Sequence, residues 1–136
     1  MGATFLGDIE MSEFFVEIKN APAAVGPYSP IAKTGSLYFF SGQIPLNPQT
    51  NKIVEGGIEA QTTQVLANID ALLTHINKAR TSIVKTTIFL TDLKNFQTVN
   101  TIYSNWMSGH KPARSTIQVC ALPLGAEVEI ECIVEA

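Results

Sequence analysis

The stretch His110–Val119, HKPARSTIQV, places an arginine and two hydroxyl residues at the head of an apolar strand, separated from a proline by one residue. A guanidinium is a planar fork of fixed donors, and it can grip a small carboxylate through two parallel hydrogen bonds. Further on the chain reads AEVEIECIVE, residues 126–135. Residues two apart in a strand share a face. Arg114, Thr116, Gln118 and Cys120 therefore share one face of their strand. Glu127, Glu129, Glu131 and Glu135 share a face of theirs, while Val128, Ile130, Cys132 and Val134 turn to the core. If the two strands are neighbours, an arginine meets several carboxylates on one polar surface. Two readings are open at this point. Arg114 pairs with one of the glutamates, or it clamps a ligand's carboxylate while one glutamate handles a proton or a water.

Other chemistries lack their residues. The histidines are His75 and His110, and neither is paired by pattern with Cys120 or Cys132. A nucleophile triad and a structural zinc site are thereby disfavoured. The glycines at 26, 35, 42, 56 and 57 fit neither a phosphate loop nor a dinucleotide fingerprint. Lysines and arginines are scattered singly and the net charge is -3. Nucleic acid is then an unsupported partner, because phosphate contacts need clustered positive charge. Both cysteines fall in apolar strand patterns and read as buried free thiols.

The elements that must position these residues follow from periodicity. Phe14 to Ile18 alternates as a short strand, and NAPAAVGPYSPIAKTG, 20–35, is a proline-stiffened coil that holds Tyr28 and Ser29. Residues 36–40 form a strand running into SGQIP, where Gly42 marks a bulge or a close backbone approach. Ile58, Thr62, Val65, Ile69, Leu72 and Ile76 make the apolar stripe of a helix over 57–79. Residues 82–90 are a central strand. Asn95 caps a second helix over 96–107, whose stripe of Phe96, Val99, Tyr103 and Trp106 reads as core; Gly109 and Pro112 stop it. Strands over 114–121 and 126–134 close the chain as a hairpin-like pair. The fold class is α+β, a two-layer sandwich with a mixed sheet and both helices on one face.

The totals fit one domain, 14–136, after an N-terminal extension, 1–13, that carries no basic leader or membrane span. Cytoplasmic residence is the default, with an organelle left open. Hydrophobic residues are 46% of the chain and charged residues 15%. Two helices cover one sheet face only, so the other face should meet a further subunit.

Several stretches, in order, are similar to one family. NAPAAVGPYSP, SGQIPLNPQT, IVKTTIFLTDLKNFQTVNTIY and PARSTIQVCALPLGAEVEIE resemble the Rid family of reactive-intermediate deaminases, nearest its RidA branch. The resemblance runs from about residue 14 to the end. It implies a chorismate-mutase-like homotrimer with a barrel-like centre and sites between subunits. It implies hydrolysis of 2-iminobutanoate and 2-iminopropanoate, released as enamines by pyridoxal-phosphate dehydratases, to 2-keto acids and ammonia. No cofactor and no metal are implied. By the same resemblance Arg114 holds the substrate carboxylate and Glu129 activates water. Tyr28 closes the pocket, Ser41 and Gly42 line it, and Asn100 approaches across the subunit boundary. Thr116 stands where the family often has cysteine, and the connection before Pro112 is shorter than in some members. The alternatives are a non-enzymatic keto-acid-binding or regulatory trimer, and a single-strand endoribonuclease or translation inhibitor.

Overall fold

The computed structural model describes residues 11–136. The expected extension lies outside them through residue 10. Eight main elements follow: β1 (Glu13–Phe15), β2 (Ile31–Thr34), β3 (Leu37–Gln43), α1 (Gly57–His75), β4 (Ile83–Leu90), α2 (Phe96–Met107), β5 (Ala113–Gln118) and β6 (Val128–Glu135). They form one sheet in the order β1-β2-β3-β6-β4-β5. Every neighbouring pair is antiparallel except β4 and β5, which run parallel on either side of α2.

This order corrects the expected hairpin of the last two strands. β6 inserts between β3 and β4, and β5 is an edge strand on the far side of β4. A parallel neighbour needs a crossover, and α2 supplies it. β2 is a strand that the proline-rich reading took for coil. It pairs with β3 across a tight turn in which Gly35 has a φ of 57°.

The main core lies between the sheet and both helices, and a smaller cluster of Ile44, Leu46 and Ala126 lies apart from it. Val65, Ile69 and Leu72 of α1 and Val99 and Tyr103 of α2 meet Ile88, Leu90, Val128 and Ile130 of the sheet. A register shift between Ile83 and Lys85 turns Ile83 inward and Val84 outward. α1 ends earlier than its periodicity suggests. Asn77 adopts a left-handed φ of 55°, and Lys78 and Asn77 donate to the carbonyls of Leu73 and Thr74, a Schellman stop. Asn95 makes no side-chain cap; Asp92 instead accepts from the Lys94 amide at 2.9 Å and starts the turn that leads into α2.

The face away from the helices carries a band of apolar side chains that is open in the single chain. Phe39, Val84 and Ile117 are 40%, 40% and 45% exposed there. Phe14, Ala32, Phe39 and Ile133 lie side by side across four strands.

Candidate functional site

Arg114 stands near the start of β5, opposite Thr86 of β4. Thr86 is buried under the helices, so Arg114 shares the helix-facing side and leans past the sheet edge against α2. Its Nη1 donates to Asn100 Oδ1 at 2.7 Å. Its guanidinium lies 5.2 Å from the Tyr103 ring centre and 5.7 Å from that of Phe96. Phe96, Asn100 and Tyr103 are spaced four and three apart and so line one face of α2. The Tyr103 hydroxyl in turn bonds Thr86 Oγ1 at 2.7 Å, which fixes the ring. Desolvation by burial holds the Tyr103 hydroxyl above its ordinary pKa. Thr116 follows on the same side of β5. Its Oγ1 is buried and has no hydrogen-bond partner among the described residues.

Glu129 belongs to a different wall. It pairs with Phe89 of β4 and points away from the helices. On its other side β3 bulges between Phe40 and Gln43. The Glu129 carboxylate lies over Gly42, where an added Cβ would collide with it. That close approach is why glycine occupies this position. Ser41, also in the bulge, donates from Oγ to the Ser29 carbonyl at 2.7 Å and from its amide to the Pro30 carbonyl at 2.9 Å. The prolyl loop is thereby tied to the bulge, and Tyr28 stands over the same cleft at 44% exposure. Tyr28, Ser41, Gly42, Glu129 and Glu131 line this cavity of about 400 Å³. Burial first, and the neighbouring Glu131 charge second, push the Glu129 carboxyl above the usual carboxylate range.

The residues singled out in the sequence therefore fall into two groups. Arg114, Asn100 and Thr116 lie on the helix side of the edge strand; Tyr28, Ser41, Gly42 and Glu129 lie on the opposite side. The expectation that Arg114 and the glutamates share a polar surface of neighbouring strands is corrected: β4 separates the strands, and the two side chains point to opposite faces. Arg114 makes no ion pair with any glutamate among the described residues. Glu127 turns aside, with its amide and carboxylate both bonded to Gln61 of α1.

A family model described as endoribonuclease L-PSP matches residues 18–136. The chloroplastic reactive intermediate deaminase A of Arabidopsis thaliana is 50% identical over 118 residues, 87% of this chain and 63% of that protein. The chain thus spans less than two thirds of that relative. The 2-iminobutanoate/2-iminopropanoate deaminase of Mus musculus is 40% identical, with 87% of each chain covered. The chain belongs to the Rid family. A Rid protein of Yersinia pestis has the same fold, with a TM-score of 0.88, 49% identity, and 93% of this chain and 100% of that one covered. Escherichia coli TdcF, solved with serine bound, gives a TM-score of 0.85 at 36% identity and covers 91% of this chain and 99% of that one.

Within this Rid protein, sequence reasoning passed over the platform of Phe96 and Tyr103. The aromatic stripe of α2 reads as core, and both rings do pack against it. The missed signal was an asparagine at helical spacing between two aromatic rings. Cys120, expected inside, is exposed, because β5 ends at Gln118; Cys132 is buried and its thiol is pushed up to about 12, by burial first and by the Glu131 charge. Among the described residues no group of three or more His, Cys, Asp or Glu could hold a metal ion, and no helix is long and apolar enough to cross a membrane.

Proposed function

We propose that this Rid protein hydrolyses 2-iminopropanoate, 2-iminobutanoate and related imines to 2-keto acids and ammonia. The observation that carries the reading is Arg114: a guanidinium steadied by an amide and two rings, with no carboxylate against it among the described residues. A substrate carboxylate supplies the missing partner. Two relatives, named a reactive intermediate deaminase and a 2-iminobutanoate/2-iminopropanoate deaminase, support it.

A complete site needs both groups of residues, and one chain points them to opposite faces. The reading is therefore that a second copy brings its Glu129 cleft to the Arg114 of the first. A homotrimer, as the family resemblance implies, repeats that junction around a closed ring and covers the open apolar face. Arg114 then grips the carboxylate, and Thr116 Oγ1 offers a hydroxyl beside it. Glu129 orients water toward the imine carbon and accepts its proton. The C=N double bond becomes a carbinolamine as the water oxygen bonds to carbon. That proton passes to the imine nitrogen; a second, given up by the carbinolamine hydroxyl as the C=O bond forms, lets the C–N bond break and ammonia leave a 2-keto acid. A carboxyl whose pKa is raised by burial suits this exchange near neutral pH. Imines hydrolyse readily, so orientation supplies much of what is required. No step draws on a cofactor. The enamine precursors come from pyridoxal-phosphate dehydratases, and cytoplasmic residence remains the default, beside a relative named as chloroplastic.

Coupling such a dehydratase to the purified protein tests the reading. Imine should disappear faster than in buffer, and Arg114→Ala should remove the acceleration. Decay at the buffer rate with both proteins would end it. The second reading is ligand binding without turnover, favoured by the relative solved with serine bound. It predicts saturable keto-acid binding with no acceleration.

A further inference from the structure

Between the C-terminal end of α2 and the head of β5 lies a cavity of about 420 Å³. Asn100, Ser104, His110, Lys111 and Arg114 contribute to its wall, and among the described residues no carboxylate does. Lys111 and Arg114 thus border one space with the same charge. Among the described residues neither belongs to an ion pair. The residue before Lys111 is pinned twice. His110 Nε2 donates to the Ile83 carbonyl at 2.8 Å, and the His110 amide donates to the Met107 carbonyl at 3.1 Å. Pro112, next in the chain, has a fixed φ and limits the swing of the short link to Arg114.

Two like charges beside one small cavity repel each other, and a bound dianion relieves that repulsion. A monocarboxylic acid clamped by Arg114 leaves Lys111 without a partner and much of the space unfilled. An acid with a second carboxylate at its distal end meets both cations. We infer that Lys111 is a specificity residue that selects imino and keto acids bearing a second, distal carboxylate. The substrate class is the 2-imino dicarboxylates of four or five carbons. This rests on the reading of Arg114 as the clamp for the first carboxylate.

Calorimetry on the assembled protein tests it with two probes, 2-oxobutanoate and 2-oxoglutarate. The wild type should bind 2-oxoglutarate about fivefold more tightly, as a partly solvated ion pair allows. Lys111→Ala should bring the two acids to parity while leaving 2-oxobutanoate unchanged, and Lys111→Arg should keep the preference. In turnover, Lys111→Ala should raise KM for 2-iminosuccinate by a similar factor, with kcat and the kinetics of 2-iminopropanoate unaltered. Equal affinities in the wild type, or a preference that survives Lys111→Ala, overturns the inference. Arg114→Ala separates this from the reading beneath it. Unweakened 2-oxobutanoate binding in that variant removes the clamp itself, and the inference with it.

Discussion

Two arginines lie against aromatic rings of α2, and their surroundings differ in one respect. Arg80 sits 4.6 Å from the Trp106 ring centre and makes two hydrogen bonds to Asp70, at 2.9 and 2.8 Å. A third goes to the Trp106 carbonyl at 2.8 Å, and the Trp106 indole also donates to Asp70, at 3.0 Å. The fork is satisfied by its own chain. Arg114 has the rings and an amide but, among the described residues, no carboxylate. The first arrangement joins α1 to the end of α2. The second presents a positioned cation at a cleft. An arginine on an aromatic stripe is therefore informative only once its carboxylate has been looked for, and the two corners make opposite predictions.

The largest effect is expected at the open corner. Arg114→Ala should lower kcat/KM for 2-iminopropanoate by about 100-fold or more, the usual scale for losing a charged partner of a carboxylate. Its melting temperature should stay near that of the wild type. A full-rate Arg114→Ala enzyme would return this residue to the surface.

Glu129→Gln should also cost about 100-fold in rate, as expected when a proton-transfer group is lost. Its stability should move the other way. The folded state holds the Glu129 carboxyl above its ordinary pKa, so it binds protons more readily than the unfolded chain. Stability contributed there falls as pH rises through that interval, and a neutral glutamine escapes the loss. A variant that melts higher at neutral pH yet works more slowly is the expected pair of results; a lower melting point would contradict the desolvation argument.

Gly42→Ala pushes a methyl group into the Glu129 carboxylate. About tenfold should be lost from kcat, with the fold retained, since a small displacement of a reacting group is costly. Unchanged kinetics would mean that the carboxylate moves aside freely. At the closed corner, Arg80→Ala should lower stability by about 1 kcal/mol, because the pair is partly exposed and solvent screens it. Its specific activity should equal that of the wild type, measured alongside Arg114→Ala. The smallest effect belongs to Glu131→Gln. It removes the charge that helps to raise the Glu129 carboxyl, so the acid limb of the pH–rate profile should shift to lower pH. A shift upward would exclude Glu131 as the source.

Much of this arrangement is legible in the sequence, and the illegible part has a physical cause. Periodicity is local, so α1, α2 and the apolar β4 announce themselves. Gly42 announced a bulge or close approach, and its neighbour proved to be the Glu129 side chain. The order of strands is not local. Nothing in VEIECIVE says that it slips between β3 and β4, and with that order unknown Arg114 and Glu129 seemed to share a surface. IAKT, 31–34, was hidden because a run of prolines precedes it, although Ile31 is fully buried opposite Phe40. Asn77 ended α1 early because asparagine tolerates the left-handed conformation nearly as glycine does. Motifs in sequence order carried the family resemblance; they could not say which of their residues meet within one chain.

The central claim is that a working site is assembled from Arg114 of one copy and Glu129 of another. Subunit complementation tests it most directly. Arg114→Ala and Glu129→Gln chains, each inactive alone, are mixed in equal amounts, unfolded and refolded together. In the proposed trimer, mixed at random, each hybrid regains one intact junction, so about a quarter of wild-type activity should return. If the hybrid assemblies form and activity stays at the level of the separate variants, the two residues do not meet across a subunit boundary and the account is wrong.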